Sequence, residues 1–248
     1  MSARARRNIA GLTPAGAVAA AAVGASALAG GSWRYAAVLL AFFLSSMLLS
    51  RAGHARKLQL TGAGKHGAAR NAWQVLANGG PAAACALAAL TTKSPLFATA
   101  FAGSFAAACA DTWGTEIGTL LPARPVSILT LKRVAAGLSG GVTLAGTLAE
   151  LAGAVFTGVV AQACGVAPWW IVAAGGFAGA LADSVAGASV QELRYCDHCK
   201  RACETNPHAC GSATHLIRGA SRFGNDAVNL VCTVTGAGGA AAIAAAFR

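Results

Sequence analysis

Apolar residues in this chain run in long unbroken stretches, at about 12–31, 33–50, 71–91, 95–114, 138–163, 168–190 and 225–247. Each stretch is near the roughly 20 residues that cross a bilayer core as a helix. Lipid offers no partner to backbone N–H and C=O groups, so a spanning segment satisfies them internally by being helical. The pattern therefore predicts an all-α integral membrane fold of about seven transmembrane helices. Residues 1–248 read as a single polytopic membrane domain, with 191–224 as its longest loop. Abundant Ala and Gly flatten the hydropathy of each stretch, which leaves the predicted boundaries soft.

Composition agrees with that pattern. The 248 residues are 56% hydrophobic and only 11% charged, and the mean hydropathy is +0.58. A soluble domain carries about a quarter of its residues as charged side chains. The net charge of +11 would suit nucleic acid, but the positions of the charges argue for membrane lipid as the partner and against nucleic acid. With the N-terminus cytoplasmic, the inside segments hold Arg4, Arg6 and Arg7; Arg51, Arg56, Lys57, Lys65 and Arg70; Arg124, Lys132 and Arg133; and Arg194, Lys200, Arg201, Arg218 and Arg222. Only Arg34, Lys93 and Arg248 fall outside, so sixteen of nineteen lie on one side. That is the positive-inside asymmetry of a membrane protein. The opening MSARARRNIAG and the Ala-rich run after it read as an uncleaved first helix, a cleaved signal peptide being the alternative.

Polar residues inside the stretches gather at their predicted cytoplasmic ends. Asp111 and Glu116 lie in ADTWGTEIG, Asp183 in GALADSVAGASVQ, and Asp226 in FGNDAVNL. Gln74 and Asn78 share a helix face, as do Thr143 and Thr147. Amides and hydroxyls can be interhelical glue; several carboxylates at one depth point to something positive between them, a divalent cation being the simplest. Gly103, Ala107, Asp111 and Thr115 form one four-residue stripe, and Gly175, Gly179, Asp183 and Gly187 another. Such stripes mark closely packed helix faces. Glu150 reads as a midplane carboxylate, either coupled to an ion or protonated and hydrogen-bonded.

Two loops offer anion-binding chemistry. TGAGKHGAARNAW joins flexible glycines to Lys65, His66 and Arg70, although it lacks the Walker spacing. An ordinary basic loop touching anionic lipid is the alternative. Ser139, Gly140 and Gly141 open the predicted fifth helix downstream of Lys132 and Arg133. A helix N-terminus of that kind presents free N–H groups to phosphate.

The loop segment YCDHCKRACETNPHACGSATH has zinc-ligand spacing. Cys196, Cys199, His208 and Cys210 are the expected ligands, with Cys203 the alternate and free thiols the alternative reading. Four protein ligands leave no open position, so this zinc would be structural.

The motifs WQVLANGG, ADTWGTEIG, SGGVTLAGTLAELAGA, DSVAGASVQ, the CxxC…HxCG loop and GNDAVNL occur in that order. Together they resemble the membrane family of transmembrane protein 19 and plant phytyl-phosphate kinase, from about residue 60 onward. The resemblance implies phosphoryl transfer from a nucleoside triphosphate to a prenyl monophosphate such as phytyl, geranylgeranyl or farnesyl phosphate. It also implies catalytic roles for Asp111, Glu116, Asp183 and Asp226. The amide motif carries over to Gln74 and Asn78, and Asn225 and Asn229 of GNDAVNL join the substrate-binding set. Gly114 replaces a usual Ala, and Glu150 stands where a small polar residue is usual, so no role is borrowed for it. Phosphoryl transfer needs positioning and charge neutralisation. Mg²⁺ on Asp111, Asp183 and Asp226, with Lys65, Arg70, Lys132, Ser139 and Gly140 on phosphate oxygens, would supply both. A transporter or lipid flippase using Asp183 and Glu150, or a non-catalytic membrane protein, are the alternatives.

Overall fold

The computed structural model describes residues 11–51, 69–121 and 123–247. Among the described residues six helices follow one another: α1 (Pro14–Arg51), α2 (Ala72–Thr92), α3 (Pro95–Leu120), α4 (Leu144–Ala163), α5 (Trp169–Ser189) and α6 (Asn225–Ala246). Their starts carry readable signals. Asn71 and Gln74 exchange side-chain and backbone hydrogen bonds in a capping box on α2. Pro95 occupies the first turn of α3, and Thr143 accepts the Gly146 N–H at the head of α4.

The 38 residues of α1 are broken at Gly31 (φ −145°, ψ 15°) and Ser32 (φ 56°, ψ −148°) into two helical arms. Their contacts show that the arms run in opposite directions. The first starts beside Arg70, whose carbonyl accepts the Thr13 N–H, and passes Gly79 at Val23 and Ala86 at Gly30, so it is parallel to α2. The second stacks Tyr35 on Phe101 at 4.2 Å and sets Phe42 5.5 Å from Phe105. Further along, Trp113 Nε1 donates to Ser45 and Ser50 donates to Glu116, so this arm is parallel to α3.

Among the described residues, α1, α2, α4, α5 and α6 are long and apolar enough to cross a membrane. The exception, α3, touches every other helix and is buried on all sides from Thr99 to Ala110. A helix screened by protein does not need the hydropathy of one facing lipid, and α3 accordingly holds Asp111, Thr112 and Glu116. Around it the usual distribution is inverted. The interior is largely Ala, while Leu40, Leu48, Leu144, Leu148, Val159, Trp169 and Val234 point outward. Water would expel such a surface, whereas hydrocarbon accepts it.

Glycine sets the helix spacing. A Cβ added at Gly179 would stand 2.5 Å from the Ala107 methyl and 2.6 Å from the Cys232 carbonyl; one at Gly236 would meet the same methyl at 2.5 Å. The α3, α5 and α6 backbones therefore meet along the stripes read from the sequence.

The all-α expectation holds for the long helices, and the loops add two small sheets. Strands β1 (Val126–Ser127) and β2 (Gly141–Val142) pair antiparallel. Strands β3 (Leu193–Cys196), β4 (Arg201–Cys203) and β5 (His215–Arg218) form an antiparallel sheet in the order β4-β3-β5. Two predicted boundaries need correction. Helix α3 continues six residues past 114, and α4 begins at Leu144 rather than 138, because 138–142 turn through Gly140 (φ +77°) into β2.

Replacing Gly179 with Leu should overpack this seam and destabilise the protein by about 1–3 kcal/mol, seen as a lower unfolding temperature in detergent. Gly24→Ala, at a site where an added Cβ meets nothing within 4 Å, should not lower it.

Candidate functional site

Three carboxylates are brought to within about one helical turn of one another along α3 by the glycine contacts. Helices α3 and α5 run in the same direction, with Gly176 against Ala106 and Gly179 against Ala107; one turn further on each carries an Asp, Asp111 and Asp183. Helix α4 runs the other way along α3, pairing Gly146 with Gly118 and Gly153 with Ala110. Between these crossings Glu150 lies on Gly114: a Cβ there would run into Glu150 Cγ and stand 2.8 Å from its Oε1. Asp183 is in direct electrostatic reach of Asp111, Glu150 and Glu204. Glu150 is 7% exposed, and its Oε2 and Asp183 Oδ1 are buried without a hydrogen-bond partner. The later start of α4 shifts Glu150 along its helix: six residues at about 1.5 Å rise put it roughly 9 Å from the helix start and about 5 Å short of the helix midpoint.

Glu204 comes from the Cys/His loop. Its Oε1 accepts the Ser139 N–H at 2.6 Å, and its Oε2 accepts the Ser139 hydroxyl and the Gln191 amide, each at 3.1 Å. Gln191 is 2% exposed. The sequence reading assigned the Ser139 N–H to a phosphate on a helix N-terminus. In the structure Ser139 lies in the turn before β2, ahead of the Thr143 cap, and the anion on its N–H is this carboxylate. Neither Glu204 nor Gln191 was singled out from the sequence. The only signal was an isolated acid in a basic loop and the Gln closing DSVAGASVQ.

The remaining candidates lie apart from this cluster. Glu116 is on the α1 side of α3, where Ser50 donates to its Oε1 at 2.8 Å. Asp226, in the first turn of α6, is not among the carboxylates that set the electrostatic environment of Asp183. Arg70, Gln74 and Asn78 line a cleft between α1, α2 and α3. There Gln74 is engaged in the α2 cap and Asn78 Nδ2 donates to the Gln74 carbonyl. Burial lowers the pKa of Arg70. Lys132 is exposed in the β1–β2 turn region, as is Asn225 at the head of α6, with Asn229 one turn further. Lys65 lies outside the described residues.

Cys196, Cys199, His208 and Cys210 come together, with their ligand atoms all within 4.8 Å of one another. Cys196 Sγ is 3.7 Å and His208 Nδ1 3.1 Å from Cys210 Sγ. Tetrahedral zinc with Zn–S bonds near 2.3 Å would space its sulfurs by about 3.8 Å. Cys203 turns away and donates to the Thr205 carbonyl. Hydrogen bonds from Ser212 and then His208 pull the Cys210 thiol down to about 5, while its hydrogen bond with Cys210 pushes Cys199 up to about 11. Thiols that share protons in this way can give them up to a metal.

Finally, an apolar groove opens between α2, α3 and α6. Leu76 and Leu230 line the end near the starts of α2 and α6, and Phe97 and Ala241 the opposite end. Asp226 is one helical turn before Leu230, on the same face of α6.

A family model described as integral membrane protein DUF92 matches residues 2–237, and the chain belongs to that family. It is a multi-pass membrane protein. Protein PGR of Arabidopsis thaliana is 35% identical over 192 residues, covering 66% of this chain and 67% of that protein. An uncharacterised membrane protein of Methanocaldococcus jannaschii is 34% identical over 170 residues, covering 63% and 65%. One from Synechocystis is 30% identical over 165 residues, covering 64% of each chain. The chain thus spans about two thirds of the length of these relatives. No solved structure matches it.

Substituting Ala for Glu204 should leave the buried Gln191 amide and the Ser139 N–H unpaired. The expected destabilisation is about 1–3 kcal/mol, with earlier proteolysis of the 191–224 loop than of the helices; equal protection in both proteins would refute the docking role.

Proposed function

We propose that this membrane protein is a prenyl-phosphate kinase-like phosphotransferase. It would move the terminal phosphoryl group of a nucleoside triphosphate onto a phytyl, geranylgeranyl or farnesyl monophosphate. The observation that carries the reading is the apolar groove of α2, α3 and α6, which opens outward and ends one turn from Asp226 at the end where the polar groups gather. An isoprenoid chain in that groove would hold its phosphate at the level nucleotide can reach. An acceptor phosphate oxygen forms the new P–O bond as the bond to the leaving nucleoside diphosphate breaks, and no side-chain nucleophile is required. Mg²⁺, when bound, would neutralise charge on the transferred group. Asp111 and Asp183 are the proposed holders, and Arg70, Lys65 and Lys132 the cations for phosphate oxygens.

A transporter or flippase reading draws on the burial of Glu150 and Asp183. The gathering of polar groups at one end of the bundle favours the phosphotransferase, since carriers place their coupling sites near the midplane. Purified protein given each prenyl monophosphate with Mg²⁺ and ATP or CTP should form the diphosphate. Asp183→Asn should slow this by roughly 100-fold or more. No diphosphate across the whole panel would remove the kinase reading.

We further propose that the polar end faces the cytoplasm and that the two arms of α1 cross separately, giving seven crossings. The distribution of Lys and Arg and the opposed directions of the arms support this. In that compartment thiols stay reduced, and the Cys196–Cys199–His208–Cys210 cluster would hold a structural Zn²⁺ that braces the loop. Metal analysis should find about one zinc per chain, lost on Cys199→Ser. After zinc stripping, a membrane-impermeant maleimide should label these thiols only from the cytoplasmic face. Absence of zinc, or labelling from the other face, would overturn the respective assignment.

A further inference from the structure

Glu150 has no place in the chemistry described so far, yet it is a carboxylate buried among carboxylates. It lies over Gly114, one turn along α3 from Asp111. The parallel register of α3 and α5 sets Asp183 beside Asp111 from the other direction. Glu150 Oε2 and Asp183 Oδ1 are both buried without a hydrogen-bond partner. Among the described residues, no Lys, Arg or His pairs with Asp111, Glu150 or Asp183. The charged groups closest in effect to Asp183 are Asp111, Glu150 and Glu204, all acidic.

We propose that Asp111, Glu150 and Asp183, one from each of three helices, form a divalent-cation site, with Glu204 at its rim. Unpaired carboxylates at this depth repel one another and are poorly solvated. A cation between them removes both penalties and supplies the partners that Glu150 Oε2 and Asp183 Oδ1 lack. An all-carboxylate donor set selects a hard ion that takes oxygen, Mg²⁺ or Mn²⁺, over the thiolate-seeking metals suited to the Cys/His loop. Three side chains fill only part of an octahedron, and the open positions suit water or phosphate oxygens. The set also replaces Asp226, on α6, by Glu150, on α4. The assignment deepens the phosphotransferase reading, on which the cation's catalytic purpose rests, while binding itself needs neither nucleotide nor lipid substrate.

The test uses full-length protein in detergent with the Cys/His loop zinc-loaded. Bound Mn²⁺ is read by electron paramagnetic resonance, and the unfolding temperature is followed with and without Mn²⁺. The wild type should bind Mn²⁺ and unfold at a higher temperature in its presence. Glu150→Gln and Asp183→Asn should each weaken binding on the order of 10–100-fold. Glu150→Gln should also raise the unfolding temperature of the metal-free protein, since it removes one of the repelling charges. Glu192→Gln, in the loop, should bind like the wild type. The proposal is overturned if the wild type shows neither bound Mn²⁺ nor a thermal shift, or if Asp183→Asn and Glu150→Gln bind as well as the wild type. Mn²⁺ binding without diphosphate formation would leave the site standing and remove only the kinase reading.

Discussion

The close approach of α3 to its neighbours is the constraint on which the molecule depends. In lipid, helices gain nothing by hiding Leu from solvent, so they associate through backbone contact and van der Waals packing. Gly103, Ala107, Gly114 and Gly118 on α3 meet Gly236, Gly179, Glu150 and Gly146 on three different helices. Such crossings tolerate little sliding, because displacement brings a side chain onto a neighbouring backbone. Register is therefore fixed to within a residue, and polar side chains one turn beyond a crossing are delivered to a defined place. Asp111 and Asp183 follow the Ala107–Gly179 contact in that way, and Glu150 is part of a contact itself.

Much of this could be read from the sequence, for reasons specific to membranes. Segment length and the absence of charge identify helices without fine periodicity, so the observed ends of α2 and α5 lie within a residue of those expected. The four-residue stripes named the right packing faces because only small residues permit backbone contact. The grouping of Cys196, Cys199, His208 and Cys210 was legible because the spacings that suit a metal site are short and local.

What stayed hidden has physical causes too. The run 138–163 is uniformly Gly-, Ala- and Leu-rich, so hydropathy could not separate the turn at Ser139–Gly140 from the helix beginning at Leu144. That merging of turn and helix concealed the Ser139 N–H on which Glu204 docks. Strands of two to four residues, such as β1 and β2, are too short to show alternation. The grouping of acids was misjudged in one respect. Depth along a helix is readable from residue number, but which helices adjoin is not, and Asp226, about a turn nearer the helix end than Asp183, does not share its surroundings. Glu204 depends on a contact 65 residues away in sequence, which no local pattern announces.

The docking of the Cys/His loop follows from the same electrostatics. Arg218 on β5 donates to the Gly187 carbonyl at 2.8 Å, placing a cation at the C-terminal end of α5, where the helix dipole is negative. Glu204 takes the N–H and hydroxyl of Ser139, and Gln191 closes the contact. The loop is thereby held by one cation on a helix end and one anion in a pocket of donors. The anion is the costly half, because it adds a third acidic group to the surroundings of Asp183. A carboxyl in that position is stable if its own donors outweigh the repulsion, if it takes up a proton, or if a cation enters the cluster. Three donor contacts answer the first condition at Glu204, but Glu150 Oε2 and Asp183 Oδ1 have none. The imbalance therefore falls on the inner acids, and a cation held among them would also steady the loop that covers them.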